Sequence, residues 1–417
     1  MSPNLAIWAV TGTATAGVIL RPFGWPEWIW AVAGAAILVA ARLIAPADAL
    51  AGIARGLDVY LFLIGMMLLS EVARVEGLFD WLAAQAARRA KGSAARLFLL
   101  VYVVGTIVTV FLSNDATAVV LTPAVAAAVR AAKVKNPLPY LLICAFIANA
   151  ASFVLPISNP ANLVIYGRSI PSLLEWLPRY ILPSLVSVIA TYAMLFWSQR
   201  QALVQEVAID VPVPTLSAAG VLAAAGIVVT AFVLIGASAF DLQLGLPTAL
   251  AGLATTMIVL IKEKKGPWSV AKDISWGVLP LVAGLFVLVG ALERTGVIAT
   301  VASLLREMAH QSPTSAAWVA GIVTGFGSNL ANNLPMGLVA GTVVAAAHVP
   351  DHVVQAVLIG VDIGPNLSVT GSLATILWLT ALRREGYMVG TIAFLRVGLV
   401  VMPPALLLAL AAAFVAG

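Results

Sequence analysis

Residues 111–123 read FLSNDATAVVLTP, and the Ser-Asn-Asp-Ala-Thr at their centre stands in a region that is otherwise almost wholly aliphatic. Polar, irregular chain survives inside hydrocarbon only where protein or a water-filled cavity satisfies it. Three further interruptions of the same kind follow. They read LPISNPAN at 155–162, SNLANNLP at 328–335 and DIGPNLSVTG at 362–371. Pro156 and Pro160 remove helix donors in one of them, and Gly360, Gly364, Pro365 and Gly371 interrupt the last. Each break leaves free N–H groups on one half-helix and free C=O groups on the other. Those ends carry partial charges of about +0.5 and −0.5. Two broken helices and two polar hairpin tips that meet at mid-membrane would enclose one small wet chamber, the architecture of a secondary transporter.

The composition agrees. Of 417 residues, 62% are hydrophobic and 10% charged, whereas a soluble domain carries about a quarter charged residues. The net charge of +5 fits the Lys and Arg excess on the cytoplasmic side of membrane proteins better than contact with nucleic acid. The start, MSPNLAIWAV, lacks a basic leader region and reads as a first span rather than a signal peptide. The single cysteine, Cys144, rules out an internal disulfide and a multi-thiolate metal site. His348 and His352 stand four apart, but Pro350 lies between them and further ligands are missing. No metal and no cofactor are expected. No nucleotide-binding or metalloprotease motif is present, so gradient energy rather than hydrolysis is the expected driving force.

The chain also repeats. GLDVYLFLIGMMLLSEVARVEG at 56–77 aligns with SWGVLPLVAGLFVLVGALERTG at 275–296, a shift of 219 that puts Gly65 on Gly284 and Gly77 on Gly296. The expected fold is an all-α polytopic membrane protein with about ten transmembrane helices, two re-entrant hairpins and two inverted-topology repeats, each with one broken helix. Residues 1–198 form the first repeat, with a hairpin over 94–133 and a broken helix over 137–168. Residues 199–215 are a cytoplasmic linker. Residues 216–417 form the second repeat, with a hairpin over 313–348 and a broken helix over 352–382. With both termini outside, seventeen of the 23 Lys and Arg residues fall on the cytoplasmic side, the expected sign. Glu71 and Glu293 read as snorkelling acids near span ends, and Trp176 as an interface anchor.

These interruptions resemble those of arsenite/antimonite efflux permeases of the ion-transporter superfamily. The resemblance rests on FLSNDATAVVLTP, LPISNPANLV, NNLP at 332–335 and above all DIGPNLSVTGSLATILWL at 362–379. It covers nearly the whole chain. It implies export of trivalent arsenic and antimony hydroxides, driven by the proton gradient across a multi-pass cell membrane such as a bacterial inner membrane. In some members a soluble, arsenite-stimulated ATPase is the partner. Two positions depart from the pattern: Asn149 stands where an acid is expected, in FIANAAS, and Asn366 where a lysine is expected after GP.

Within the interruptions, the expected substrate-binding residues are Ser113, Asn114, Thr117, Ser158, Asn159, Asn162, Asn329, Asn332, Asn333, Asn366 and Thr370. Their amides and hydroxyls both donate and accept, which suits a compact, uncharged trihydroxyl molecule. Asp115 and Asp362 are the expected proton-coupling acids, because acids inside a membrane are functional by default. The competing reading is a sodium/proton antiporter of the same superfamily, with Asp115 as cation ligand.

Overall fold

The computed structural model describes residues 2–416. Its first half contains α1 (Pro3–Leu20), α2 (Glu27–Ala40), α3 (Pro46–Arg55), α4 (Leu57–Val75), α5 (Leu78–Arg89) and α6 (Ala94–Leu112). There follow α7 (Asn114–Ala116), α8 (Thr122–Ala131), α9 (Leu138–Ala150), α10 (Pro160–Tyr166) and α11 (Leu173–Gln199). The second half contains α12 (Ala218–Ala239), α13 (Gly245–Glu263), α14 (Trp268–Ala271), α15 (Val278–Arg294) and α16 (Val297–Gln311). It ends with α17 (Pro313–Ala331), α18 (Asn333–Ala347), α19 (Asp351–Ile363), α20 (Leu373–Arg384) and α21 (Thr391–Ala416). Serine side chains cap α1, α6, α12, α17 and α20, and α1 and α17 add a proline in the first turn, the pairing that satisfies and pre-sets a helix start.

The chain is a polytopic, all-helical membrane protein. Six helices are by themselves long and apolar enough to cross a bilayer, or eight if each of two bent pairs is one span. The two broken spans fall outside that test because each is split into pieces, α9 with α10 and α19 with α20. The element that the sequence did not announce is α3. It meets α4 at 48°.

Ion pairs fix the relative direction of the halves. Arg55, just before α4, meets Glu293 at the end of α15 at 3.0 Å. Arg74, at the end of α4, meets Asp273, just before α15, at 3.1 Å. The two segments related by the 219 shift therefore run antiparallel. The termini share one end: Asn4 donates to the Thr295 carbonyl and Phe414 stacks near Trp318 and His352, while Leu292, Val297 and Val349 share one apolar cluster.

Both polar segments are hairpins. The amides of Val207 and Ala208, consecutive in the linker, donate to the carbonyls of Gly92 and Ala132. The two bases of the first hairpin thus lie side by side. In the second, Arg306 near the end of α16 donates to the carbonyls of Ala346 and Ala347. That brings the exit of α18 beside the helix that feeds α17.

The broken helices are exchanged between halves. The half-helix α10 packs on α18, in the hairpin of the second half, and α20 packs on α8 and on the wide turn Thr117–Leu121. Each hairpin arm is also clamped to the broken helix of its own half. Where α17 crosses α19, Gly360 lies against Gly321 and Gly364 against Gly325, so close that an added Cβ would stand 2.2 and 2.1 Å from the facing carbonyl oxygens. Small residues spaced four apart on both helices allow this approach. In a lipid solvent, which gives no hydrophobic drive between helices, close packing of this kind is what holds the pair together.

Candidate functional site at the meeting of four chain breaks

The hairpin tips turn on strained residues. Ser113 has φ 91° and ψ 162°, and Asn332 has φ 72° and ψ 151°. Neither is glycine, and backbone of this kind costs about 1–3 kcal/mol each. The two positions are again 219 apart. Asn114 and Asn333 therefore occupy equivalent first positions of the returning arms. The Asn332 side chain accepts from the Leu334 amide, as an N-cap does. Asn159 and Ser372 begin α10 and α20 in the same way, accepting from the amides of Ala161 and Thr375.

These four helix starts surround a small, tight cavity lined by Leu63, Asn114, Asp115, Asn159, Pro160, Val278, Asn333, Leu334, Leu373 and Ala374. It adjoins a larger vestibule, lined among others by Ser70, Glu71, Ser113, Asp115, Asp273 and Ser275. Leu63, Asp115, Pro160 and Val278 border both spaces. Asp115 thus stands at the junction of chamber and vestibule, and no donor or cation among the described residues acts on its carboxylate. Among the described residues no Lys or Arg lines the chamber.

A second tier of polar groups lies behind the lining. Asp362 is fully buried near the end of α19. One carboxylate oxygen accepts from the Asn159 amide at 2.7 Å, and the other has no partner. Asn149, at the matching place near the end of α9, donates to Asn366 at 3.0 Å and to Thr375 at 3.3 Å, and its own oxygen is unpartnered. Each broken helix therefore ends on a polar side chain that reaches the opposite half: Asp362 holds Asn159, and Asn149 holds Thr375. The two positions flagged as departures, Asn149 and Asn366, bond to one another. A neutral pair has replaced the expected acid and base, and it needs no buried charge.

Of the residues expected to bind substrate, the structure brings Asn114, Asn159 and Asn333 to the chamber wall, with Asp115 beside them, and Ser113 to the vestibule. The others face elsewhere. Thr117 bonds to Thr109 at 2.8 Å inside its own hairpin, and Ser158 donates to the Val110 carbonyl. Asn162 donates to the carbonyls of Ser152, Leu155 and Pro156, tying off the first break. Asn329 bonds to the carbonyls of Gly325 and Gly364 and accepts from Ser368. Asn332 donates to the Thr370 carbonyl, while the Thr370 hydroxyl donates to that of Asn329. Asn366 donates to the Phe146 carbonyl. A broken helix frees more backbone groups than one chamber can satisfy, and most of the polar side chains are consumed by them. Asp362 too lies one residue behind the wall.

Two expectations about acids and aromatics change. Glu71 does not snorkel. It is buried, bonds to Arg74 at 2.5 and 2.8 Å, and faces the vestibule; its basic partner three residues on was the available signal. Trp176 is fully buried rather than interfacial, donating to the Phe153 carbonyl. The vestibule role of Asp273 was not visible in the sequence, since only tertiary packing carries its loop there.

Comparison with known proteins gives a consistent picture. The profile of the family described as CitMHS, citrate transporter, matches residues 15–361. The arsenical pump membrane protein of Yersinia enterocolitica is 25% identical over 363 residues, covering 84% of each chain. The protein of that name from Escherichia coli K12 has the same identity and coverage. An uncharacterized transporter of Mycobacterium tuberculosis is 26% identical over 425 residues, 97% of each chain. Among solved structures, the YdaH transporter of Alcanivorax borkumensis shares the fold, with a TM-score of 0.57, 14% identity, and coverage of 88% of this chain and 86% of that one.

Proposed function

The chain belongs to the family described as CitMHS, citrate transporter, and from that premise we propose that this membrane transporter is a proton-coupled exporter of trivalent arsenite and antimonite hydroxides. The observation that carries the reading is the chamber wall: three asparagine amides, one carboxyl and, among the described residues, no Lys or Arg. Amide groups that donate and accept match the hydroxyls of an uncharged substrate, and Asp115 at the chamber mouth is the group that exchanges protons. Several relatives carry the arsenical pump name. The scheme needs protons and a lipid bilayer. The substrate-binding roles of Asn114, Asn159 and Asn333, and the proton-coupling roles of Asp115 and Asp362, are part of the proposal, as is the division into two inverted repeats at 1–198 and 216–417.

The helix starts around the chamber also favour an anion, and the family description names citrate. Against that stands Asp115 in the same wall, with no cationic side chain among the described residues to offset a substrate's own carboxylates. The test is gradient-driven uptake into everted vesicles, with antimonite, arsenite, citrate and sodium offered separately. Antimonite and arsenite uptake is the expected result; uptake of citrate or sodium alone replaces the reading.

Two narrower results follow. Asn333→Ala should raise the KM for antimonite by about 2- to 10-fold, the effect of one lost hydrogen bond; an unchanged KM would leave Asn333 as backbone support only. For orientation, Asp241 and Lys264 are exposed at opposite ends of α13. In a Cys144→Ala background, Asp241→Cys should react with an impermeant maleimide on intact cells, and Lys264→Cys only after permeabilisation. The opposite pattern would invert the topology and put the termini in the cytoplasm.

A further inference from the structure

The chamber has a wider neighbour on the side away from the vestibule. Where α3, α4, α10 and α13 come together lies a cavity bordered by Arg55, Asp58, Val59, Leu163, Val164 and Gln243. Among the described residues it shares none of the chamber's lining, whereas the vestibule shares four residues with the chamber. We propose that this cavity is the port through which substrate passes between the chamber and the membrane face opposite the vestibule. One apolar turn, formed by Val59 of α4 with Leu163 and Val164 of α10, is the gate that closes it here. The inference needs only that the chain is a transporter; it depends neither on the identity of the substrate nor on proton coupling.

Two helix faces run through the three spaces. On α4, Val59, Leu63, Met66 and Ser70 succeed one another at intervals of three or four residues, which puts them on one face. Val59 borders the port, Leu63 borders chamber and vestibule, and Met66 and Ser70 border the vestibule. On α10, Pro160 borders chamber and vestibule, and Val164, four residues on, borders the port beside Leu163. Chamber and port are therefore separated along both helices by one turn, about 5 Å. Val59, Leu163 and Val164 are buried, and α10 packs on α4.

Each face is fixed to a different neighbour. Gly65 of α4 lies so close to α13 that an added Cβ would stand 2.2 Å from the Thr248 carbonyl oxygen. Gly341 of α18 lies against α10, its added Cβ 2.8 Å from the Cα and the carbonyl oxygen of Ile165. Close backbone packing of this kind ties α4 to α13 and α10 to α18. The seam between the two pairs is made of branched aliphatic side chains, which part without breaking a hydrogen bond. The port beyond it holds a solute weakly, as a place of release requires. Its charged groups are already engaged: Arg55 pairs with Glu293 at 3.0 Å, and Asp58 accepts from the Gly245 amide at 2.7 Å. Gln243 is the remaining polar side chain of its lining.

The experiment uses the full chain with Cys144→Ala, in intact cells and in everted vesicles, without substrate. Single cysteines are offered a small impermeant methanethiosulfonate from each side. Gln243→Cys marks the side on which the port opens, Lys264→Cys marks the other side, and Leu373→Cys reports the chamber wall. From the Lys264 side, Leu373→Cys should react at the same rate in every variant, which also shows that each is folded. From the Gln243 side, it should react about tenfold or more faster once Val59→Ala and Leu163→Ala are added, because truncated packed side chains leave a gap. Leu185→Ala, on an exposed face of α11, should leave both rates unchanged. If the double variant loses the reaction from the Lys264 side, the single variants Val59→Ala and Leu163→Ala are read in the same way. A rate from the Gln243 side that the truncations leave unchanged overturns the gate. Equal rates from both sides before truncation overturn the closed port, and reaction of Gln243→Cys and Lys264→Cys from the same side overturns its placement. Since no substrate is present, failure of the arsenite and antimonite reading leaves these rates as they are, and the two failures are told apart.

Discussion

Asp115→Asn is expected to abolish accumulation of antimonite in energised everted vesicles while leaving downhill exchange. The substitution keeps the shape of the side chain at the junction of chamber and vestibule and removes only its capacity to bind and release a proton. One charge moving through a potential of 100 mV is worth about 2.3 kcal/mol, so a single coupled proton sustains a concentration ratio of about 50-fold. Loss of coupling should bring that ratio to about 1. The carboxylate has no partner among the described residues whose loss would unfold the tip. A failure to accumulate with a normally folded protein is therefore a direct reading of the coupling role. Accumulation at the wild-type ratio would take Asp115 out of it.

Gly364→Ala should damage the fold and transport together. The new Cβ would stand 2.1 Å from the Gly325 carbonyl oxygen and 2.6 Å from the Gly325 Cα. Both are backbone atoms that cannot swing aside. Forcing α17 and α19 apart costs about 1–3 kcal/mol or more. It also displaces the Gly364 carbonyl from Asn329, which bonds to it at 2.9 Å and steadies the hairpin arm below the tip. Lower thermal stability in detergent and loss of transport should appear together. Gly390→Ala is the control, because nothing lies within 4 Å of its added Cβ. A Gly364→Ala protein that melts and transports like wild type would mean that the crossing is looser than drawn.

The departures at Asn149 and Asn366 take on meaning only in three dimensions. In the sequence they are two separate losses of a titratable group, 217 residues apart. In the fold they are one hydrogen bond, and the matching position in the other half carries Asp362. The sites are pseudo-symmetric, but in this chain only one of them keeps an acid.

Sequence alone determined the class of protein, the order of its helices, the two halves and the four interruptions. Those follow from local physics: hydrocarbon accepts only long apolar helices, and each Pro, Gly or Asn cluster that breaks one is visible as it stands. The basic residues set an expected orientation in the membrane, which the labelling of Asp241→Cys and Lys264→Cys tests. Tertiary structure alone decided which of the eleven suspected polar residues meet the chamber. A broken helix exposes backbone donors and acceptors that must be bonded somewhere, and whether a given amide bonds to backbone or to open space depends on packing between residues some two hundred positions apart. That is why Asn114, Asn159 and Asn333 face the chamber while Asn162, Asn329 and Asn366, of the same chemistry, brace the walls behind it.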